Sequence, residues 1–516
     1  MSPAEIISHN PATLEELGRV PVTTSECVID CVARARVAQA AWAARSFSER
    51  AQIVLRAREI LLRDIDALAL LIAQENGKPL VEALTAELYP SADLFYYFAT
   101  NAERLLRAHA LPTGVMRLLG RTSRLQYLPV GVVGVIAPWN YPFSIPAGAV
   151  AMNLLVGNAV LLKPSEYTPL VGQRLVEIFH EAGAPTDVLM HVPGDGRTGQ
   201  ALCESRVDKI IFTGSVRTGK QVMATAAVHL TPVILELGGK DAMIVRRDAN
   251  LDHASSGAVW GAFTNAGQCC ASVERVYVHE KIAREFIAQV VAKTKTLRQG
   301  VGTQTDVEIG AMNNAAQLAI VERHVADAKN RGAQILTGGA RLATSPGYFF
   351  PPTVITGVDH TCAVMREETF GPLLPIMSVP DDATAVRLAN DSPFGLTGSI
   401  WTRDRSAAKR LALQLRAGTV TINDCLYTYA ICQTPWGGVG ESGFGRTHSV
   451  LGLLELVRPL HVHVNYVPQW KDLWWFPYHR RLYDLFVAMS RALTGPWWQR
   501  LPLVPRLLAA LRWRKL

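Results

Sequence analysis

The chain has 516 residues, of which 49% are hydrophobic and 19% charged, with 39 Gly and 29 Pro. This composition excludes a disordered chain, a coiled coil and a collagen-like repeat, and the length predicts about three lobes. The eight cysteines form no CxxC pair and no cluster with histidine, which predicts reduced thiols, no disulfide framework and no metal site. The first residues carry no basic stretch followed by an apolar core, so we expect no signal peptide and a cytoplasmic location.

The net charge of +8 is concentrated at the C-terminal end of the sequence. Residues 466–516 hold nine Lys and Arg against two Asp, a balance of +7, so residues 1–465 carry only +1. A nucleic-acid-binding protein would need a basic surface that extends over the fold. The nearly neutral body therefore argues against a nucleic-acid partner.

The hydrophobic pattern predicts helices first and then an alternation of strands and helices. Apolar residues at i, i+3 and i+4 predict helices between about 30 and 110. From about 114 onward, short β-branched runs alternate with helical segments, which is typical of a doubly wound, parallel α/β sheet. The predicted strands are 124–136, 157–163, 187–192, 208–213, 232–236 and 275–278, an amphipathic helix is predicted at 169–182, and a second alternating series runs from about 280 to 425.

Three segments carry residues that suit covalent chemistry on a carbonyl group. Cys270 follows a Gly-rich turn that presents its thiol from a loop, although a free cysteine is more often a packing residue. Glu236 ends an apolar strand before two glycines, where open α/β sheets bind ligands; the alternative is a solvated strand-terminal carboxylate. Asn140 lies on a rigid turn between two prolines, where its amide suits an oxyanion or simply a turn.

Two further segments suit a nucleotide. Gly214 and Ser215 follow a strand and begin a helix, whose backbone N–H groups and dipole favour phosphate, although such a helix cap is common. Lys163 and Glu166 follow the strand at 157–162 and offer a cation and a carboxylate to ribose hydroxyls. Alone, they fit a plain strand end and helix cap equally well.

Seven motifs, in this order, resemble the aldehyde dehydrogenase superfamily across about residues 8–465. They are PWN at 138–140, KPSE at 163–166, FTGS at 212–215, ELGGK at 236–240, GQCC at 267–270, EETFGP at 367–372 and PWGGVGESGFGR at 435–446. The resemblance implies an α/β fold with a Rossmann-like NAD-binding domain, an α/β catalytic domain and a small β oligomerisation element. The implied domains are residues 1–113 with 132–236 for NAD binding, 237–441 for catalysis and 114–131 with 456–465 for oligomerisation.

The resemblance also implies a role for individual residues. Cys270 is the implied nucleophile, Glu236 the general base and Asn140 part of the oxyanion hole, whereas Cys269 occupies a variable position. The implied cofactor-binding residues are Lys163 and Glu166 at the adenosine ribose, Gly214, Ser215 and Gly219 at the pyrophosphate, Glu368 at the nicotinamide ribose and Phe370 at the nicotinamide.

These residues imply NAD-dependent oxidation of an aldehyde to its carboxylic acid through a Cys thiohemiacetal and a thioester. Glu236 favours hydrolysis over transfer to coenzyme A, because acylating relatives typically lack this base. Glu166 favours NAD over NADP, since a carboxylate at the ribose repels a 2′-phosphate, although relatives with this Glu use both. The resemblance further implies a homodimer or a homotetramer.

The substrate class is inferred from three features. Gly440 stands where many family members have Lys, which resembles the branch of fatty and aromatic aldehyde dehydrogenases, and Tyr141, Tyr427 and Tyr429 are aromatic neighbours of the motifs. Together with the tail they favour a medium- or long-chain aliphatic or an aromatic aldehyde. The alternatives are a short polar semialdehyde or, in a different class, a non-catalytic binding protein, against which the complete catalytic set argues.

Residues 466–516, the tail, lie beyond the family pattern and hold six of the 11 Trp beside the nine basic residues. Leu482, Leu485, Phe486, Met489 and Leu493 share one helical face, with Arg480, Asp484 and Arg491 off it. No run approaches ~18 uncharged apolar residues, so we expect no spanning helix. Trp and Arg on an amphipathic segment predict peripheral association with the inner face of a membrane. Packing on its own subunit or across a dimer, and a cap over the substrate entrance, stay open.

Overall fold

The structure, a computed structural model, describes residues 4–341, 346–467 and 472–494, together with Pro496, Trp498 and Pro505. The helices are α1 (Ser25–Ala44), α2 (Phe47–Arg63), α3 (Ile65–Asn76), α4 (Leu80–Glu82), α5 (Tyr89–Leu105), α6 (Ser144–Val156), α7 (Pro169–Glu181), α8 (Gly196–Glu204), α9 (Val216–Ala227), α10 (Leu251–Phe263), α11 (Glu280–Thr294), α12 (Ala315–Asn330), α13 (Ala363–Arg366), α14 (Asp382–Asn390), α15 (Arg405–Ala412), α16 (Ser449–Glu455) and α17 (Arg480–Thr494). A π turn spans Ala83–Leu88, and 3₁₀ turns span Gly114–Leu119, Thr264–Gly267, Tyr427–Ala430 and Gly440–Ser442.

The strands follow the same numbering along the chain. They are β1 (Glu5–His9), β2 (Glu16–Pro21), β3 (His109–Leu111), β4 (Arg121–Pro129), β5 (Val132–Ile136), β6 (Ala159–Lys163), β7 (Leu189–His191), β8 (Lys209–Thr213), β9 (Val233–Glu236), β10 (Asp241–Val245), β11 (Val273–His279), β12 (Gln334–Ile335), β13 (Thr353–Thr356), β14 (Leu373–Val379), β15 (Thr397–Trp401), β16 (Thr419–Ile422), β17 (Gly443–Phe444) and β18 (Val457–Asn465). β1 and β2 pair with each other as an antiparallel ribbon.

Residues 4–106 and 128–458 form one compact unit that contains two sheets. The first sheet has the order β17-β9-β8-β5-β6-β7 and is parallel except for β17. β5 and β6 are buried along their whole length, as expected for strands covered on both faces. The carboxyl ends of parallel strands meet at one edge, so the segments that follow β5, β6, β8 and β9 come together there.

The second sheet of this unit has the order β12-β13-β14-β11-β10-β15-β16 and is parallel except for β12. Its core is apolar, with Met243, Val276, Val354 and Ile400 at no measurable exposure. α10 packs on α11, and the turn after α10 leads to Cys270 just before β11. This sheet confirms the second alternating series predicted from about 280 to 425, although it begins earlier, at β10.

The mixed α/β fold with parallel sheets confirms the predicted fold class. The predicted strands at 187–192, 208–213, 232–236 and 275–278 correspond to β7, β8, β9 and β11. The predicted strand at 124–136 is instead two strands in different sheets, because Gly131 between β4 and β5 adopts φ +131°. The domain boundaries inferred from the family resemblance stay predictions.

Residues 107–127 and 459–516 form the second compact unit. Its sheet has the order β18-β4-β3, with β3 antiparallel to β4. Ser123 Oγ lies 2.8 Å from Nδ1 of His463, which links β4 to β18 by side chains. Among the residues that the structure describes, no helix combines the length and apolar character needed to cross a membrane.

The predicted amphipathic helix of the tail is α17, and its apolar face is covered within this unit. Leu482 and Leu485 are buried with Leu473, and Phe486 and Met489 pack against the three leucines. The apolar face that suggested a membrane helix is therefore used in packing. The side chain of Leu493 and the residues Trp470, Trp497 and Trp513, which also entered that prediction, lie outside the described part of the chain.

Candidate active site

A buried ion pair fixes the turn that follows β5. Lys78 Nζ lies 2.6 Å from Oε1 of Glu87, and neither side chain is exposed. Glu87 Oε2 accepts hydrogen bonds from the backbone N–H groups of Phe143 (2.7 Å) and Ser144 (3.1 Å), at the start of α6. Lys78 also donates to the carbonyl oxygen of Asn140 at 2.9 Å. The Lys78–Glu87 pair thus binds the backbone at both ends of the 140–144 turn.

The side chain of Asn140 reaches the loop that carries the candidate nucleophile. Asn140 is 3% exposed, and its Nδ2 donates a 3.1 Å hydrogen bond to the carbonyl oxygen of Gln268. Gln268 is fully buried, and its Oε1 accepts a hydrogen bond from the Asn313 N–H at 2.8 Å. Since Gln268 lies two residues before Cys270, this contact places an amide donor beside the thiol loop.

The loop before Cys270 has a conformation that few residues adopt. Residues 265–267 all have positive φ, between +51° and +73°. The carboxylate of Glu82 holds this conformation, accepting from the Thr264 hydroxyl at 2.7 Å and from the Asn265 N–H at 2.8 Å. Cys270 follows this strained turn and lines the cleft, with a small buried cluster on its other side. Its location argues against the packing-residue alternative.

Cys270 and its neighbour Cys269 titrate as a pair. Hydrogen bonding to the Cys269 thiol, burial and the nearby carboxylate of Glu236 raise the pKa of Cys270 well above its usual range. Burial and these neighbours thus disfavour the thiolate form of Cys270 relative to the neutral thiol. Cys269 is 5% exposed and packs with Ala271, Leu396 and Trp436.

Glu236 is the last residue of β9, at the carboxyl end of the strand. Burial raises the pKa of its carboxyl to about 7, opposed by a hydrogen bond from the Thr447 hydroxyl. That bond, from Thr447 Oγ1 to Glu236 Oε1, is 3.0 Å long. A carboxylate with a pKa near neutrality is suited to general-base catalysis at physiological pH. The site therefore has a titratable base, where a solvated strand end would have a permanent carboxylate.

The two glycines after Glu236 let three segments approach closely. A Cβ at Gly239 would lie 2.2 Å from the carbonyl oxygen of Cys270, and one at Gly238 would lie 2.2 Å from Oε2 of Glu368. The Gly239 N–H donates to Oε1 of Glu368 at 2.9 Å. The ELGGK motif is thus packed against both the thiol loop and the EETFGP motif. A side chain at Gly239 would push the ELGGK motif away from the thiol loop, and one at Gly238 would push it away from the EETFGP motif.

The segments after β6 and β8 have the chemistry of a dinucleotide site. Lys163 is 4% exposed, and its Nζ lies 3.4 Å from Oε2 of Glu166, whose side chain is 40% exposed. Ser215 caps the N-terminus of α9, directly after Gly214, so free backbone N–H groups of the helix face outward. A cation, a carboxylate and a helix N-terminus fit the ribose and pyrophosphate of NAD. Gly219 lies inside α9 and packs on Leu237.

The EETFGP motif is held at the cleft by a buried carboxylate. Glu274 accepts from the N–H groups of Thr369 (2.8 Å) and Phe370 (2.9 Å), and Lys240 pairs with it at 2.5 Å. Burial raises the pKa of Glu368 to about 8. Phe370 stands edge-on to Trp139, with ring centroids 5.4 Å apart, so its ring is fixed beside the cleft.

Seven of the ten predicted site residues line one cleft of about 220 Å³. They are Asn140, Glu236, Cys270, Gly214, Ser215, Glu368 and Phe370. Lys163, Glu166 and Gly219 are not among its lining residues. Since one cleft holds a thiol, a base, an amide donor and a helix N-terminus, it can perform covalent chemistry on a carbonyl beside a bound dinucleotide.

Apolar and aromatic side chains surround the other side of Cys270. Tyr141, Tyr429 and Leu426 pack with Cys270 around a buried cluster that includes Trp436. The rings of Tyr429 and Trp436 meet edge-to-face with centroids 5.3 Å apart. Such a surface favours an apolar substrate group over a charged one.

Two of the features behind the predicted substrate class have a different explanation. Tyr427 is 44% exposed and does not join the cluster around Cys270. Gly440 has φ +64°, and a Cβ there would lie 2.5 Å from the carbonyl oxygen of Pro393. The backbone conformation thus accounts for glycine at 440, and this residue says little about the substrate.

Sequence reasoning missed the residues that hold the catalytic ones in place. These are Lys78, Glu82, Glu87, Gln268, Glu274 and Thr447. Gln268 lies inside the GQCC motif and Thr447 directly follows the motif at 435–446, so these motifs were a usable signal. The only sequence signal at Lys78, Glu82 and Glu87 was a charged side chain within a segment predicted as helical from its apolar residues.

Known proteins resemble this chain in sequence and in structure. The sequence profile described as the aldehyde dehydrogenase family matches residues 1–462. A 4,4'-diapolycopene aldehyde oxidase from Methylomonas sp is 42% identical over 490 residues, covering 95% of this chain and 91% of its own. A betaine aldehyde dehydrogenase from Bacillus subtilis is 35% identical, covering 89% of this chain and 94% of its own. A solved NAD-dependent aldehyde dehydrogenase from Sinorhizobium meliloti is 35% identical, with a TM-score of 0.87 and coverage of 92% and 93%.

Proposed function

Because the chain belongs to the aldehyde dehydrogenase family, we propose that it oxidises an apolar aldehyde to the free carboxylic acid with NAD. One observation carries the proposal: Asn140, Glu236 and Cys270 line a single cleft with the candidate cofactor residues Glu368 and Phe370. A complete catalytic set in one cleft supports turnover over a purely binding or structural role.

The first half of the reaction makes a covalent intermediate on Cys270. Cys270 gives its proton to a base, for which the nearby carboxylate of Glu236 is the candidate. The Cys270 sulfur bonds to the carbonyl carbon as the C=O π bond opens to an oxyanion, which gives a thiohemiacetal. Asn140 Nδ2 and the Cys270 N–H donate to the oxyanion that develops there. NAD, when bound, supplies the acceptor for the hydride that leaves this carbon. Loss of the hydride converts the thiohemiacetal on Cys270 to a thioester.

The second half of the reaction releases the acid. Glu236 accepts a proton from a water molecule while the water oxygen bonds to the acyl carbon. The carbon–sulfur bond then breaks, and Cys270 leaves as a thiolate. The buried carboxylate with a pKa of about 7 supports this role, since it is half ionised near neutrality. Hydrolysis, and not transfer to coenzyme A, follows from the presence of this base.

For the cofactor, we favour NAD over NADP. The carboxylate of Glu166 lies 3.4 Å from Lys163, and we propose that both groups meet the adenosine ribose. A 2′-phosphate there would face a negative charge. The test is the ratio of kcat/KM for NAD and NADP in the wild type and in Glu166→Gln. The proposal expects the preference for NAD to fall in the variant.

For the substrate, two observations support a long apolar aldehyde. Tyr141, Leu426 and Tyr429 pack with Cys270 and give one side of the thiol an apolar, aromatic surface. The similarity to the diapolycopene aldehyde oxidase spans 490 of the 516 residues, so it extends into residues 466–516. A polyene or other long-chain aldehyde is therefore our leading substrate class.

The decisive experiment is NADH formation with purified full-length protein across a series of aldehydes. The series runs from acetaldehyde to hexadecanal and includes benzaldehyde, a polyene aldehyde and succinic semialdehyde. We expect kcat/KM to rise with apolar length. A maximum at succinic semialdehyde would leave the mechanism intact and overturn the substrate class.

The proposal includes the assembly and location expected for such an enzyme. We propose a homodimer or homotetramer. Its oligomerisation element is residues 114–131 with 456–465, its NAD-binding domain residues 1–113 with 132–236, and its catalytic domain residues 237–441. A long-chain aldehyde partitions into lipid, so we also propose a peripheral location at the inner face of a membrane. Sedimentation and cell fractionation test these two points.

A further inference from the structure

Residues 474–481, the aromatic segment, are exposed without interruption. Among them, Trp475 is 54% exposed, Phe476 77% and Tyr478 65%. Tyr483, one helical turn beyond Arg480, is 61% exposed. Contiguous exposed aromatic side chains on a soluble surface usually mark a contact with a partner.

Side-chain contacts fix the aromatic segment in place. Arg121, on β4, forms an ion pair with Asp472 and stacks over the ring of Trp474 at 5.1 Å. The Trp475 N–H donates to the carbonyl oxygen of Asp472 at 3.0 Å, and the Tyr478 hydroxyl donates to that of Trp474 at 3.2 Å. The exposed rings therefore belong to an ordered turn. Their exposure is a property of the folded state.

The charge around the aromatic segment is positive. Arg480 is 83% exposed at its side chain, and Arg481 follows it. The two acidic residues of the tail are both paired, Asp472 with Arg121 and Asp484 with Arg480. The segment itself holds Arg480 and Arg481 and no carboxylate, so it presents Trp, Phe and Tyr rings beside two arginines.

We propose that the aromatic segment is a docking surface for an anionic lipid bilayer. Trp and Tyr rings prefer the boundary between headgroups and acyl chains, and juxtamembrane arginines bind anionic headgroups. The inserting element is the turn at 474–478. α17 is not inserted, because its apolar face is already covered by Leu473. A second copy of the chain fits less well, since an isologous contact over this segment would enclose Arg480 and Arg481 of both copies in one interface.

The docking does not depend on which aldehyde is oxidised, so the two proposals are tested apart. Full-length protein is floated with vesicles of phosphatidylcholine alone and with vesicles containing about 30% phosphatidylglycerol. We expect flotation only with the anionic vesicles and its loss in high salt. Absence of flotation with both vesicles would overturn the docking surface, whatever the aldehyde series shows.

Matched variants locate the surface on the chain. Trp475→Ser with Phe476→Ser is compared with Tyr89→Ser and Leu413→Ser, whose side chains are 71% and 91% exposed on the other unit. We expect at least a tenfold loss of vesicle binding in the first pair and none in the second. Equal binding by the two double variants would contradict the proposal.

The charge is tested separately with Arg480→Gln and Arg481→Gln. Each removed charge is expected to weaken binding to anionic vesicles about fivefold. Circular dichroism and activity on a water-soluble aldehyde check that the variants fold. If the aromatic variants instead change the sedimentation coefficient and leave flotation intact, the segment contacts a second copy and the lipid proposal is wrong.

Discussion

The hydroxyl of Thr447 donates a 3.0 Å hydrogen bond to Oε1 of Glu236 and thereby opposes the effect of burial on that carboxyl. Burial favours the neutral acid, whereas a donor favours the carboxylate. Burial outweighs this donor and the smaller contributions of Trp436 and Arg446, which also lower the pKa, and the pKa lies at about 7. A residue outside the recognised motifs thus sets the ionisation of the proposed base.

The first prediction is a pH dependence. Glu236 must be ionised to take a proton from water, and its ionised fraction rises as the pH passes through about 7. Hydrolysis of the thioester should therefore rise between about pH 6 and 8 and level off above. Thr447→Val removes the donor, raises the pKa of Glu236 and should move the midpoint up by about one pH unit. Single-turnover acid release across pH measures this.

Thr447→Ser is the control for that experiment, because it keeps the hydroxyl. It should retain the wild-type midpoint. A profile in Thr447→Val that coincides with the wild type, in an enzyme that still folds, would show that the hydrogen bond does not govern the base.

The second prediction concerns the vicinal thiols. The hydrogen bond with Cys269 raises the pKa of Cys270, so Cys269→Ala should lower it and give more thiolate at neutral pH. Alkylation of Cys270 by iodoacetamide at pH 7 should then be faster, and turnover should persist. Cys270→Ala, the control, should lose turnover and this fast alkylation together. Slower alkylation in Cys269→Ala would contradict the assigned coupling.

The third prediction is that Asn140→Ala lowers kcat by about 100- to 1000-fold, since one oxyanion donor contributes about 2.7–4 kcal/mol. Asn265→Ala is the matched control, because Asn265 Nδ2 also donates to the carbonyl oxygen of Gln268, at 3.2 Å, but Asn265 does not line the cleft. Steady-state kinetics should show the larger loss in Asn140→Ala. Equal losses would assign Asn140 a structural role only.

Much of the site was predictable because it follows the carboxyl ends of strands. Asn140, Gly214 and Glu236 each end up at the same edge because β5, β8 and β9 are parallel neighbours. The thiol loop was recognisable from its Gly-Gln-Cys-Cys motif. The segment 124–136, however, was predicted as one strand although Pro129 ends β4 and Gly131, with its positive φ, comes just before β5. Both residues were local signals of the break.

The supporting contacts were not predictable in the same way. Lys78 and Glu87 lie nine residues apart, and their pairing depends on the π turn at Ala83–Leu88 and on packing around Asn140. The apolar face of α17 was correctly placed on one side of a helix. Leu473 covers that face, and it lies in a turn that the ion pair between Arg121 and Asp472 holds in place. Neither the Lys78–Glu87 pair nor the packing of Leu473 on α17 leaves a local pattern in the sequence.

The fourth prediction tests the close approach of the glycine motif to the nucleophile. Gly239→Ala places a methyl group where the Cys270 carbonyl oxygen lies 2.2 Å away, so the thiol loop must move. We expect a loss of about 1–3 kcal/mol in stability and at least a 100-fold loss of kcat/KM. Gly196→Ala is the control, since a Cβ there has nothing within 4 Å. A wild-type rate in Gly239→Ala would show that the loop tolerates the shift.

The fifth prediction concerns the anchoring of the tail. Arg121→Ala leaves the carboxylate of Asp472 without its ion pair and Trp474 without its stacked guanidinium. Losing these contacts should cost about 1–3 kcal/mol of local stability. Trypsin should then cleave at Arg480 and Arg481 about 5- to 150-fold faster, because cleavage follows the opened population. Arg124→Ala, at an exposed position of the same strand, is the control and should leave the rate unchanged. Equal cleavage rates in the two variants would mean that Leu473, Leu482 and Leu485 hold the tail without help from Arg121.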